Sequence, residues 1–197
     1  MTAALGLMQI AIEEDHPLLA IGDVAPSFEA LVPDGLLGTD GRRHGFDEWA
    51  DAEALVVIFS SNRCPTAHAY ASRLRALQAE YGPRGVQVVL VNSNDPHLYP
   101  DESFERMVER SAEDGDAFPY LVDEGQAVAR AWGPTCTFHA FLLDRDRRLA
   151  YEGRVDNARL EDRVTSHDLR DAIEDVLEGR EVAVAQTRAF GCALDLM

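Results

Sequence analysis

The fold is decided by Glu53-Ala-Leu-Val-Val-Ile-Phe-Ser-Ser-Asn-Arg-Cys64-Pro65-Thr-Ala-His68-Ala-Tyr70. Residues 55–59 form a continuous apolar, β-branched run, too short for a buried helix, which reads as a strand covered on both faces. Ser60, Ser61, Asn62 and Arg63 break it. Pro65 has no backbone N–H to lose and a preset φ, which suits the first position of a helix and makes Cys64 its N-cap. Tyr70, Leu74, Leu77 and Tyr81 continue an apolar stripe at helical spacing. One cysteine is therefore expected at the seam between a buried strand and a helix N-terminus. There the helix dipole, with a cationic neighbour such as Arg63, favours a thiolate.

Working outward, residues 21–31 are expected to open the folded body with a short strand, 38–45 to turn, and Phe46-Asp-Glu-Trp49 to form one helical turn. Residues 86–91, Val-Gln-Val-Val-Leu-Val, predict a second buried strand that ends in the turn formers Asn92-Ser-Asn-Asp-Pro96. A helix over 101–113, a short helix over 124–131 ending at Trp132-Gly-Pro134, a hairpin of 140–143 with 149–153, and an amphipathic helix over 168–178 complete the pattern. This order of elements specifies an α/β layer with a partly parallel sheet.

Length and charge narrow the rest. The 197 residues suit one core with terminal extensions: an N-terminal extension over 1–20, one domain over 21–180 and a C-terminal tail over 181–197. Acidic residues outnumber basic ones 35 to 18, a net charge of −17, and every basic residue is arginine. Nucleic acid and anionic membrane are excluded as expected partners. The N-terminus has no basic residue ahead of its apolar stretch and soon meets Glu13-Glu-Asp15, so it does not read as a secretory signal, and no apolar stretch is long enough to cross a bilayer. Three cysteines, an odd number, suit a reducing compartment, and a cytoplasmic protein is expected. Neither a phosphate loop, a Gly-x-Gly-x-x-Gly turn nor a Gly-x-Ser-x-Gly elbow is present, and no organic cofactor is expected.

The succession of buried strand, Cys-Pro, helix, second strand, Phe118-Pro119 segment and closing hairpin resembles the thioredoxin-like fold, a central mixed sheet flanked by helices. More narrowly it resembles the peroxiredoxin-like redoxin proteins of bacteria, which carry Cys-Asn-His-Cys-Pro after the first core strand. Here that motif stands as Ser61-Asn-Arg-Cys64-Pro65. The match continues through residues 118–133, Cys136-Thr137, residues 151–156 and the tail Thr187-Arg-Ala-Phe-Gly-Cys192. The chain departs from the family in four places. Ser61 replaces the first cysteine, Ala67 the second cysteine of thioredoxin's Cys-x-x-Cys, Val57 the peroxiredoxin proline, and Phe138 the proline usually found beside the active sulfur. With phenylalanine there, the Thr137-Phe138 peptide is expected to be trans.

The resemblance implies an antioxidant-type oxidoreductase in which the Cys64 thiolate attacks a small-molecule peroxide or a protein disulfide. It implies roles for Ser61 and Arg63 beside the sulfur and for Pro65, Thr137 and Phe138 against the substrate. It also places Cys136 in the loop facing Cys64, as the resolving thiol within the chain; otherwise an external thiol reductant resolves the intermediate. Cys192 reads as an incidental or docking residue, with a resolving role or an intermolecular disulfide as the alternative, and a homodimer is compatible with the sequence. Two readings of other classes stay open. Cys64 and His68, four apart on one helix, with Cys136 and His139 opposite, could hold zinc or copper(I), and a thioredoxin-fold scaffold could bind a partner without turnover.

Overall fold

A computed structural model of the chain describes residues 18–115, 117–194 and 196. In chain order the elements begin with α1 (Phe28–Leu31), β1 (Leu36–Gly38), β2 (Arg43–His44) and a 3-10 turn at Phe46–Trp49. They continue with β3 (Ala54–Ser60), α2 (Pro65–Tyr81), β4 (Val86–Asn92), α3 (Phe104–Glu113) and β5 (Tyr120–Val122). Then follow α4 (Ala127–Trp132), β6 (His139–Leu143), β7 (Leu149–Gly153) and α5 (Asp168–Leu177). The sheet runs β2-β1-β5-β4-β3-β6-β7. Strand β3 is parallel to β4 and β4 to β5, whereas β6 lies antiparallel to β3 and to β7. This is the thioredoxin-like arrangement of a mixed central sheet between helical layers.

Every residue of β3 is buried, and alternate side chains go to opposite cores because a strand turns successive Cβ atoms to opposite faces. Ala54, Val56 and Ile58 pack with Tyr70, Leu74 and Leu77 of α2 and with Leu169 and Ile173 of α5. Leu55, Val57 and Phe59 pack on the other face with Phe28, Val128 and Trp132. Trp132 is ringed by Phe28, Phe46, Phe59 and Phe141, with ring centroids 5.5 to 6.3 Å away. No helix among the described residues is long and apolar enough to cross a membrane.

The structure corrects several expected elements. Residues 21–31 do not form a strand: Val24 makes a single bridge to Arg148, and the segment then turns into α1, whose N-cap Ser27 accepts from the Ala30 N–H at 3.3 Å. The turn expected over 38–45 is the tip of a hairpin, in which β1 pairs with β2 and adds to β5. The helix expected over 124–131 begins later, at Ala127, because Asp123 reaches forward to accept from the backbone N–H groups of Val128 and Ala129. The expected N-terminal extension lies outside the described residues up to residue 17, while Leu19 is already buried in the core.

Candidate active site

Helix α2 starts where the sequence places it: Cys64 is the N-cap in an extended conformation and Pro65 occupies the first turn. The loop ahead of it is tied down from below by a carboxylate. Glu102, buried in the 3-10 turn before α3, accepts from the Ser61 hydroxyl, from the backbone N–H of Asn62 at 2.8 Å and from the Asn92 amide at 3.0 Å. The Asn62 side chain in turn accepts from the Tyr120 hydroxyl at 3.0 Å. Nothing local in the sequence marks Glu102, because its partners lie on β4 and on the loop beyond β3.

Cys64 is fully buried, at 0% exposure, and the Thr137 hydroxyl donates to its sulfur over 3.1 Å. Burial alone would push the thiol up. The Thr137 hydroxyl, the Ala67 N–H in the first turn of α2, and the thiol and backbone of Cys192 outweigh it, leaving Cys64 below the ordinary cysteine range. Thr137 sits at the entrance to β6, and it also holds the C-terminal tail. Its N–H donates to the Cys192 carbonyl at 2.9 Å, and its hydroxyl oxygen accepts from the Cys192 N–H at 3.0 Å. The single hydroxyl proton thus has two acceptors in reach, the Cys64 sulfur and the Cys192 carbonyl at 3.3 Å.

Cys192 therefore stands beside Cys64, and its thiol is pushed up to about 11, first by burial and then by its contact with the Cys64 sulfur and that atom's charge. Cys136 is half-buried with a raised pKa, again from burial first; the Cys64 charge adds to it through space, and a Thr135 hydroxyl lies 4.0 Å from its sulfur. Local sequence reasoning underweighted Cys192, whose position depends on where the tail packs. The one signal available was the Phe-Gly-Cys segment near the C-terminus.

The remaining expected site residues are placed as follows. The Ser61 hydroxyl is committed to Glu102, and the Arg63 guanidinium lies over the Tyr99 ring, 4.1 Å from its centroid. Pro65 is exposed at the helix start. Phe138 is buried, its ring lies tilted against that of Tyr70 with centroids 4.9 Å apart, and it adopts φ +67°, a left-handed conformation that a phenylalanine rarely takes. No peptide bond among the described residues is cis. The four side chains considered for a metal are not gathered. His68 is exposed with a ring nitrogen 2.8 Å from the Asn62 carbonyl, and His139 is buried on β6, accepting from the Thr135 N–H at 3.1 Å. Among the described residues no three His, Cys, Asp or Glu side chains converge as metal ligands.

Residues 20–173 match the redoxin family. The chain belongs to that family. The crystal structure of a hypothetical protein from Sinorhizobium meliloti superimposes with a TM-score of 0.82 at 37% identity, covering 92% of this chain and 97% of that one. A Chlorobium tepidum structure described as a thiol:disulfide interchange protein, DsbE, shares the fold with a TM-score of 0.61 at 19% identity, over 82% of this chain and 97% of its own. Among curated proteins, the thiol-disulfide oxidoreductase ResA of Halalkalibacterium halodurans is 29% identical over 83 residues, 42% of this redoxin and 43% of that protein. The chain thus matches less than half the length of that relative.

Proposed function

We propose that this redoxin is a thiol-dependent oxidoreductase whose Cys64 thiolate attacks a disulfide sulfur. The observation that carries the reading is the Thr137 hydroxyl donating to the Cys64 sulfur at 3.1 Å at the head of a 17-residue helix. A thiolate is the attacking species in exchange, and a hydrogen-bond donor aimed at the sulfur stabilises it. Attack forms a mixed disulfide with Cys64 and releases the other half of the substrate as a thiolate; an external thiol completes the cycle.

Disulfide is preferred over peroxide on two grounds. Apart from Thr137, the polar side chains expected beside the sulfur are occupied elsewhere, Arg63 over Tyr99 and Ser61 on Glu102, so neither is set to polarise an O–O bond. Similarity to a curated thiol-disulfide oxidoreductase supports the same choice. The cleft beneath the loop, lined by Ser61, Ala67, Tyr120 and Phe138 among others, measures about 20 Å³, room for about one water and too small for a disulfide substrate.

The test is the rate of iodoacetamide labelling at Cys64 against pH, read by mass spectrometry on reduced native protein beside Cys64→Ser. It is followed by turnover of glutathione disulfide and of hydrogen peroxide under one external thiol. The expected result is a labelling midpoint below about 8.5 and faster turnover of the disulfide. An unshifted midpoint, or turnover of peroxide alone, refutes the reading.

A further inference from the structure

The C-terminal tail does not hang from the domain; it is fitted to it at two glycines. Along the free edge of β7, the Glu152 N–H donates to the Ala185 carbonyl and the Thr187 N–H to the Glu152 carbonyl, both at 3.0 Å. The Thr187 hydroxyl lies 2.6 Å from the Tyr151 hydroxyl and accepts from the Arg154 N–H at 3.1 Å. A Cβ on Gly153 would come within 2.1 Å of that hydroxyl, so only glycine lets the tail approach. Further on, a Cβ on Gly191 would meet the Thr137 carbonyl oxygen at 1.8 Å. There the tail makes its pair of bonds with Thr137, the residue whose hydroxyl holds Cys64. Both fittings bring one functional group to the site, the thiol of Cys192.

We propose that Cys192 is the resolving thiol of Cys64, delivered within the same chain by the docked tail, so that turnover passes through a Cys64–Cys192 disulfide. The proposal rests on the redox role of Cys64 argued above. In the first step the Cys64 thiolate attacks a substrate disulfide, forming one S–S bond and breaking another, and the first substrate thiolate leaves. In the second the Cys192 thiolate, its proton passed to solvent, attacks the Cys64 sulfur; the Cys64–Cys192 bond forms, the mixed disulfide breaks and the second substrate thiolate leaves. The substrate gains two electrons and the protein pair loses them. An external dithiol restores both cysteines and is itself oxidised to a disulfide.

The order of the steps follows from charge. While Cys64 is anionic, Cys192 keeps its proton, for ionising it would set two negative sulfurs side by side. Once the Cys64 sulfur is in a neutral mixed disulfide, the part of that penalty owed to its charge is gone, which eases ionisation of Cys192 against the burial that still opposes it. Thr137 supports both stages, because its hydroxyl proton can turn from the Cys64 sulfur to the Cys192 carbonyl.

The experiment uses the reduced full-length protein, wild type beside Cys192→Ser, Cys136→Ser and Gly191→Val. Each is mixed with glutathione disulfide, quenched with an alkylating agent and digested without reductant for mass spectrometry. Wild type and Cys136→Ser are expected to give the Cys64–Cys192 linked peptide. Cys192→Ser is expected to accumulate glutathione on Cys64, and Gly191→Val to form the internal disulfide roughly tenfold more slowly, as befits loss of the tail's hydrogen-bonded pair with Thr137. A Cys64–Cys136 link in wild type, or glutathione persisting on Cys64 in wild type as it does in Cys192→Ser, overturns the proposal while leaving the redox role of Cys64 standing. Absence of any adduct on Cys64 in Cys192→Ser overturns both.

Discussion

Replacing Thr137 with valine removes the side-chain hydroxyl that donates to the Cys64 sulfur while keeping the β-branched shape at the entrance to β6. A hydrogen bond to a charged group contributes about 1.5 to 3 kcal/mol, and one pKa unit corresponds to about 1.4 kcal/mol. The Cys64 midpoint should therefore rise by about one to two units. At a pH below both midpoints the thiolate population should fall about ten- to hundredfold. Thr137→Val also loses the acceptor for the Cys192 N–H, which loosens the tail and changes access to the sulfur. The quantity to follow is accordingly the midpoint of the ultraviolet thiolate absorbance, measured as a difference from Cys64→Ser, and not a labelling rate. Stability adds an independent check. A cysteine whose folded pKa is depressed contributes stability that is complete above its unfolded pKa and lost as pH falls through the folded one. The urea-unfolding difference between wild type and Thr137→Val should thus widen as pH rises through the wild-type midpoint and level off above the midpoint of the variant. Thr137→Ser, which keeps the hydroxyl, should titrate close to wild type. A Thr137→Val midpoint equal to that of wild type, or failure of the serine to restore it, would refute the assignment of Thr137 as the donor that sustains the thiolate.

Two further outcomes follow from the surroundings of the site. Glu102→Gln turns an acceptor oxygen into a donor facing the Ser61 hydroxyl, the Asn62 N–H and the Asn92 amide, and it should lower unfolding stability by about 2 to 3 kcal/mol in urea; a loss under about 0.5 kcal/mol would show that the loop does not depend on it. Burial brings His139 from 6.5 down to about 4, so the folded state resists its protonation: the stability His139 confers is complete above about 6.5 and lost as pH falls through about 4, a loss of about 3 kcal/mol. His139→Asn, which keeps an acceptor for the Thr135 N–H, should flatten that part of the pH profile, and an unchanged slope between pH 6.5 and 4 would contradict it.

The seam between β3 and α2 was legible because its determinants are local. The apolar run of β3, the polar break after it, the proline at the first helical position and the stripe from Tyr70 to Tyr81 each act within a few residues, and together they place Cys64 at a helix N-cap. Strands β1 and β2 were not legible, since three and two residues are too few to show a period and exist as strands only through pairing with each other and with β5. The same holds for Glu102, whose acceptor role comes from donors on separate elements brought under one carboxylate.

By itself the sequence determined the α/β order, the resemblance to redoxins and the one cysteine placed for thiolate chemistry. That the C-terminal thiol stands beside that cysteine was decided by tertiary structure. Cys136 precedes Thr137 in the chain and was the natural candidate from the family resemblance. Cys136 lies near enough to feel the Cys64 charge, and Cys192, from the far end of the sequence, shares the Thr137 hydroxyl with Cys64. Its position depends on where a glycine leaves room for one backbone to lie against another, at Gly153 and again at Gly191. A close approach of that kind is a property of packed surfaces, and no spacing within a single segment encodes it.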